Sequence, residues 1–138
     1  MNVLVDTTVW SLAYRRSVTA LNLQQRSLLN SLGEIASDGR AQLLGVVRQE
    51  MLGGLREPSH FERLRKLLQA FPNVRLETED YEEAARMSNT CRAKGISGSI
   101  VDYLICATAA RRDWSIFTLD RDFDGYAKRL PIKLFKLK

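Results

Sequence analysis

Short apolar runs alternate along the chain with longer segments in which apolar residues recur every three or four positions. The runs lie at 2–6, 43–47, 74–76, 116–118 and 132–137. Each is typical of a short buried strand, whereas the recurring spacing between the runs predicts helices. Because strands and helices alternate over the whole chain, the pattern predicts a mainly parallel sheet with helices on both faces. The expected fold class is α/β, organised as a three-layer α/β/α sandwich.

The starts of two helices can be predicted from single residues. Pro58 is expected just outside a helix that Ser59 is placed to cap. The segment 100–110 is almost entirely apolar apart from Asp102, which predicts a helix buried on most sides. Ser99 and Asp102 have the spacing of a capping box at its first turn, with Asp in place of the usual Glu.

The composition is that of one globular domain over residues 1–138, with 45% hydrophobic and 27% charged residues. No apolar run approaches the ~20 residues that span a bilayer, and Asp6 interrupts the first run too early for a secretory signal. We therefore expect a cytoplasmic protein without a membrane partner. Cys91 and Cys106 lack the spacing of a metal or redox motif, so neither a disulfide nor a zinc site is expected.

The charge distribution points to a polyanionic partner. The net charge is +5, which is typical of proteins that bind nucleic acids, and the basic residues are spread along the chain. Three aspartates, in contrast, fall within residues 120–124. A basic body around an acidic spot suits a metal-dependent enzyme that acts on a phosphate backbone. The alternative is a set of solvated helix faces beside an acidic loop.

Four acidic residues fall where a parallel sheet gathers functional groups. Asp6 ends the first run and Asp120 follows the fourth, so both are expected at the carboxyl ends of strands, where open α/β sheets bind ligands. Asp102 begins the buried helix. Glu50 lies three and four residues after two valines of the run 43–47, so its carboxylate is expected on the core-facing side of a helix.

Taken singly, each of these acids also has a structural explanation, as a helix cap or as half of an ion pair. Taken together, they are expected to converge on one crevice. Carboxylates gathered in a dry pocket repel one another unless a cation lies between them. Oxygen ligands without histidine or cysteine suit Mg²⁺ or Mn²⁺.

The sequence does not contain the residue patterns that other common catalytic and phosphate-binding sites require. The single histidine, His60, has no acidic neighbour, so no Ser-His-Asp or Cys-His arrangement is expected. Neither a GxxxxGK[ST] loop nor a GxGxxG turn occurs. A phosphoacceptor signalling domain needs adjacent acids after the first strand, and a haloacid-dehalogenase phosphatase needs DxD. Thr7 and Thr8 follow Asp6 instead, which disfavours both.

Four motifs, in chain order, resemble the PIN-domain family and, most closely, the VapC-type ribonuclease toxins of bacterial and archaeal toxin–antitoxin pairs. The motifs are VDTTVW at 5–10, QEMLGG at 49–54, GISGSIVDYLICATA at 95–109 and FTLDRDF at 117–123. The resemblance covers nearly the whole chain, and the last two motifs are specific in combination. It implies a metal-dependent endoribonuclease with an acidic quartet.

Carried onto matching positions, the quartet consists of Asp6, Glu50, Asp102 and Asp120. The resemblance implies that Asp6 and Asp102 bind Mg²⁺ (or Mn²⁺) directly, and that Asp120 binds it directly or through water. Glu50 would bind a second metal or orient the attacking water. The expected reaction is attack of metal-activated water on an RNA phosphodiester, which leaves a 3′-hydroxyl and a 5′-phosphate.

Three further residues lie next to the quartet in sequence. Thr7 and Thr118 match positions where the family often has a hydroxyl near the acids. Asp122 is the alternative to Asp120 as the fourth acid, and Asp120 is preferred because it is nearer the strand end.

The resemblance also implies partners. These are an RNA substrate, a second copy of the chain in a homodimer, and a cognate antitoxin whose tail occupies the acidic groove, with an arginine reaching the carboxylates. The candidates for contact with the RNA backbone are Arg15, Arg16, Arg48, Arg111, Arg112 and Arg121. The alternative within the same fold is a non-catalytic RNA-binding or scaffold protein.

Overall fold

The first apolar run forms an inner strand of a parallel sheet in the computed structural model. The structure describes residues 1–15 and 20–137, with only the main chain of Arg15. The strands in these ranges are β1 (Val3–Val5), β2 (Ala41–Gln42), β3 (Ser115–Phe117) and β4 (Lys133–Leu134). They pair in the order β2-β1-β3-β4, and every pairing is parallel.

Helices account for most of the remaining described residues. They are α1 (Thr7–Arg15), α2 (Leu23–Ser37), α3 (Gly45–Gly53), α4 (Pro58–Leu68), α5 (Thr78–Ala93), α6 (Ile100–Arg112) and α7 (Asp122–Ala127). Among the described residues, none of the helices combines the length and hydropathy of a membrane span.

Both faces of the sheet are covered. Successive side chains of a strand point to opposite faces, and Val3, Leu4 and Val5 are all buried. In β3, the neighbouring residues Ile116 and Phe117 are buried in the same way. The predicted α/β fold, with a parallel sheet between two helical layers, is therefore confirmed.

Helix α6 is the buried helix that the segment 100–110 predicts. Seven consecutive residues, Tyr103 to Ala109, are buried in it. Half of the expected capping box is present, because the main-chain N–H of Asp102 donates to Ser99 Oγ at 3.0 Å. Among the described residues, the Asp102 side chain makes no return hydrogen bond to the Ser99 main chain. This cap fixes the main chain of Asp102 at the start of the helix.

Three of the predicted strands differ from the structure. The run 43–47 does not form the second strand, because β2 lies just before it at Ala41–Gln42 and α3 begins inside it at Gly45. Residues 74–76 form no strand. An isolated bridge joins Leu43 to Asn73, and the N–H of Val74 donates to the Leu43 carbonyl at 2.9 Å, but the pairing extends no further. The carbonyl of Arg75 accepts a hydrogen bond from Arg112 Nη2 at 3.1 Å. This carbonyl therefore bonds to a side chain and not to a neighbouring strand. The last run is narrower than expected, because only Lys133 and Leu134 have strand geometry.

The start of α4 also differs from the prediction. Pro58 is the first helical residue, Glu57 holds the capping position, and Ser59 lies inside the helix. Proline is well suited to the first position because the N–H that it lacks would have no partner there, and its fixed φ already suits a helix. The prediction placed the helix cap two residues too late, at Ser59 instead of Glu57.

A buried ion cluster joins the start of α5 to the end of α6. The Asp80 side chain is fully buried, and its Oδ1 lies 2.6 Å from Arg111 Nη1 and 2.7 Å from Arg112 Nη1. Its Oδ2 accepts from Arg112 Nη2 at 2.9 Å and from the main-chain N–H of Glu77 at 2.8 Å. These donors hold the pKa of Asp80 well below its usual range.

Candidate metal centre

The ends of the two inner strands lie side by side. Chain connections from β1 and β3 lead to opposite edges of the sheet, so the strand order reverses between them. Such a reversal opens a crevice at the carboxyl ends of the strands. Asp6 follows β1 at this point, and its N–H donates to the Phe117 carbonyl at 2.9 Å.

Asp6 is held by hydroxyl groups from both sides of the crevice. Its Oδ2 accepts from Thr118 Oγ1 at 2.7 Å and from Thr8 Oγ1 at 2.9 Å. Burial raises the pKa of Asp6 above its ordinary value; the hydrogen bonds oppose this shift, and the nearby carboxylate of Asp102 adds to it. A cation in the crevice would favour the charged form of Asp6.

Three other carboxylates meet in the same region. One oxygen each from Asp102, Asp120 and Asp122 can be chosen so that the three atoms lie within 4.8 Å of one another. We call these residues the acidic triad. Asp102 comes from the first turn of α6, whereas the other two lie in the segment after β3, so the triad joins distant parts of the chain.

The segment after β3 is ordered by its own hydrogen bonds. The main-chain N–H of Asp120 donates to Thr118 Oγ1 at 3.0 Å, and that of Asp122 donates to Asp120 Oδ1 at 2.9 Å. Thr118 therefore contacts both Asp6 and Asp120. The structure brings Asp120 and Asp122 together beside Asp102, although the sequence suggested a choice between them.

A tyrosine that the sequence did not single out contacts the triad. Tyr126 is fully buried, and its hydroxyl donates to Asp102 Oδ2 at 2.6 Å. Burial and the Asp102 carboxylate raise the pKa of this hydroxyl, which therefore stays protonated. The two residues are 24 positions apart, and their contact depends on how α7 packs against α6. No local sequence pattern indicates this packing.

Glu50 is not on the core-facing side of α3, contrary to the prediction. Its side chain is exposed, and the buried residues of α3 are Val47 and Met51. These two, four positions apart, define the inward side of the helix, and Glu50 lies beside it. Its Oε1 accepts from Thr7 Oγ1 at 2.9 Å, which places it next to the turn after β1.

Residues 3–129 match the family model described as the PIN domain. The chain belongs to the PIN-domain family. The resemblance that four short motifs indicate is therefore confirmed over nearly the whole sequence. A search of the curated proteins found no match.

PIN-domain architecture is also shared with solved structures. FitAcB from Neisseria gonorrhoeae matches with a TM-score of 0.75 and 19% identity, over 97% of this chain and 96% of that chain. VapBC2 from Rickettsia felis, bound to a DNA fragment from their promoter, matches with a TM-score of 0.71 and 15% identity, over 98% of each chain. A toxin–antitoxin complex from Klebsiella pneumoniae matches with a TM-score of 0.65 and 16% identity, over 90% of this chain and 92% of that chain. At these identities the likeness concerns the fold.

Three arginines suggested for RNA contact have intramolecular partners in this PIN domain. Arg111 and Arg112 bind Asp80 at the far end of α6, about 15 Å along the helix axis from Asp102. Arg48 donates to the carbonyls of Leu68 and Phe71, the first at 3.1 Å. Their donors are thus engaged in holding helices together.

The other candidate arginines differ in position. Arg121 is exposed and lies between Asp120 and Asp122 in the sequence. The side chain of Arg15 and the whole of Arg16 lie outside the described residues. Of the described arginines suggested for RNA contact, Arg121 alone adjoins the triad in sequence.

Proposed function

We propose that the protein is a metal-dependent endoribonuclease and the toxin of a type II toxin–antitoxin pair. The observation that carries the proposal is the convergence of three carboxylates, from α6 and from the segment after β3, beside the buried Asp6 of a PIN domain. The position is the crevice at the carboxyl ends of parallel strands, where α/β sheets bind their ligands.

The residues of the acidic triad suit a divalent cation. No arginine or lysine in the described part of the chain forms a salt bridge with Asp102, Asp120 or Asp122, so their negative charge is not neutralised there. The donors are all carboxylate oxygens, which favours Mg²⁺ or Mn²⁺. A cation bound there supplies a water of lowered pKa and stabilises negative charge on a phosphate group.

The surrounding side chains take complementary roles in the proposal. Asp6, fixed by Thr8 and Thr118, would supply a fourth carboxylate to the cation site. Glu50, held by Thr7, would orient the attacking water or bind a second cation. Asp120 and Asp122 both serve as ligands, directly or through water.

The partners of the proposed enzyme follow from its charge and its structural relatives. A chain of net charge +5 attracts polyanions, which supports RNA as the substrate. We propose that the enzyme acts on this RNA in the cytoplasm. The similar structures include VapBC2 and a toxin–antitoxin complex, which supports a cognate antitoxin that blocks the acidic crevice. A homodimer completes the proposed assembly.

Metal removal tests the proposal. We expect the purified protein to cleave a structured RNA in Mg²⁺ or Mn²⁺ and to lose this activity in excess EDTA, because the carboxylates alone cannot activate water or stabilise the phosphate charge. Adding Mn²⁺ above the chelator concentration should restore cleavage. Gel analysis of the RNA products measures both steps. Undiminished cleavage in EDTA would contradict the metal dependence.

A further inference from the structure

Tyr126 is held rigidly in the core. Its ring lies against Tyr103, with centroids 5.3 Å apart, and against Phe123, with centroids 5.1 Å apart and the rings nearly perpendicular. The side chain is completely buried, so its hydroxyl needs an internal partner. That partner is Asp102 Oδ2, at 2.6 Å, and the tyrosine donates because an ionised carboxylate only accepts.

Asp102 depends on this contact for its orientation. The Ser99 cap fixes its main chain, but the carboxylate can still rotate about two side-chain torsions. Among the described residues, Tyr126 is its one side-chain hydrogen-bond partner, and Oδ1 accepts no hydrogen bond. With Oδ2 held by Tyr126, Oδ1 is the oxygen left for a ligand.

Gly98 provides the space for the Tyr126 hydroxyl. A Cβ at position 98 would lie 2.4 Å from Tyr126 Oη and 2.9 Å from its Cζ, so a side chain there would force the tyrosine to move. The φ of Gly98 is not positive, unlike those of Gly39 and Gly95, so the glycine is needed for space and not for its backbone conformation. The loop before α6 is thus shaped around the end of this tyrosine.

We infer that Tyr126 is a positioning residue: its hydroxyl, seated against Gly98, fixes the Asp102 carboxylate so that one oxygen faces the cation of the acidic triad. The inference rests on the proposed metal-dependent function. Tyr126 itself contacts neither the cation nor the RNA. It lowers the cost of ordering Asp102 when the cation binds, as hydrogen-bond partners of metal ligands do.

Replacement of Tyr126 by Phe tests the inference, because it removes the hydroxyl and keeps the ring. We expect Mn²⁺, measured by titration with detection of free Mn²⁺ by electron paramagnetic resonance, to bind about tenfold more weakly to Y126F. RNA cleavage by Y126F should fall at low Mn²⁺ and recover at saturating Mn²⁺. A role in folding alone would not produce this split between metal affinity and maximal rate.

The neighbouring tyrosine provides a matched control. The Tyr103 hydroxyl is also buried, but among the described residues it makes no hydrogen bond to Asp102. Tyr103→Phe therefore removes the same atom from the ring that packs on Tyr126, without altering the contact with Asp102. We expect unchanged Mn²⁺ affinity in Y103F.

Substitution at Gly98 gives a second, independent test. Gly98→Ala should displace the Tyr126 hydroxyl and weaken Mn²⁺ binding while the tyrosine is still present. In the Y126F background the closest clash is gone, so G98A should weaken Mn²⁺ binding by a smaller factor than it does in the wild type. Circular dichroism confirms that each variant is folded at the titration temperature.

The outcomes separate the inference from the proposed function. Equal Mn²⁺ affinity in Y126F and the wild type, or an equal loss in Y103F, would overturn the positioning role while leaving the nuclease proposal intact. Mn²⁺ binding by the wild type without RNA cleavage would overturn the proposed function alone. A wild-type protein that binds no Mn²⁺ would overturn both.

Discussion

Replacement of Asp102 by Asn is expected to reduce RNA cleavage by more than about 100-fold, a larger loss than the replacement of a hydrogen-bond partner of a ligand causes. Asparagine has the same shape and still accepts the Tyr126 hydrogen bond, but it lacks the charge that attracts the cation. The protein should remain folded. Because one of three clustered negative charges is removed, repulsion within the metal-free triad decreases.

The measurement is cleavage of a structured RNA at saturating Mg²⁺, with thermal unfolding of the same samples. Asp124→Asn is the matched control, because it makes the same change at an exposed aspartate two residues after Asp122 and outside the triad. It should leave cleavage unchanged. Induced expression should arrest growth for the wild type and for D124N but not for D102N. Equal cleavage by D102N and the wild type would refute the assignment of the site.

Replacement of Asp80 by Ala is expected to lower the free energy of unfolding by about 3–5 kcal/mol. The fully buried carboxylate of Asp80 joins α5 to α6 by accepting hydrogen bonds from two arginines and from the Glu77 main chain. Without it, the guanidinium of Arg112, which is mostly buried, loses its counterion. The cost is that of an uncompensated charge and not merely of a lost contact.

Urea denaturation at neutral pH measures this effect. The control is Glu62→Ala, which breaks the exposed ion pair with Arg65 on α4 and should cost far less. The pKa of Asp80 is lowered in the folded state, so its stabilising contribution is complete above the ordinary pKa of 3.8 and is lost as the pH falls further towards the folded-state pKa. In D80A the stability should therefore depend less on pH in this acidic range. A loss no greater than that of E62A would contradict the role of Asp80.

Much of the fold could be predicted because local patterns and packing agree. The first run, with three consecutive buried residues, has the composition of an inner parallel strand and forms β1. The apolar segment that begins at Ile100 becomes the buried helix α6 for the same reason. The segment 74–76 has a comparable pattern without strand geometry, because a strand also requires a backbone partner along its length.

Those residues of the candidate site whose positions follow from the order of the strands could be predicted from the sequence. Asp6 and Asp120 lie near each other because the carboxyl ends of adjacent parallel strands share one edge of the sheet. The orientation of Glu50 was not predictable: each helical residue turns by about 100°, so a spacing of three or four from an apolar residue still permits an exposed side chain. Tyr126 was not predictable either, because its role depends on how a six-residue helix packs against α6.

Diffraction from crystals grown with Mn²⁺, recorded where manganese scatters anomalously, would locate the cation on the protein. We expect an anomalous peak about 2.1 Å from a carboxylate oxygen of Asp102 and at a similar distance from one of Asp120 or Asp122, or of both. The same map would show whether Asp120, Asp122 or both bind the cation. A map with no peak at the acidic triad, or with manganese only elsewhere on the protein, would contradict this expectation.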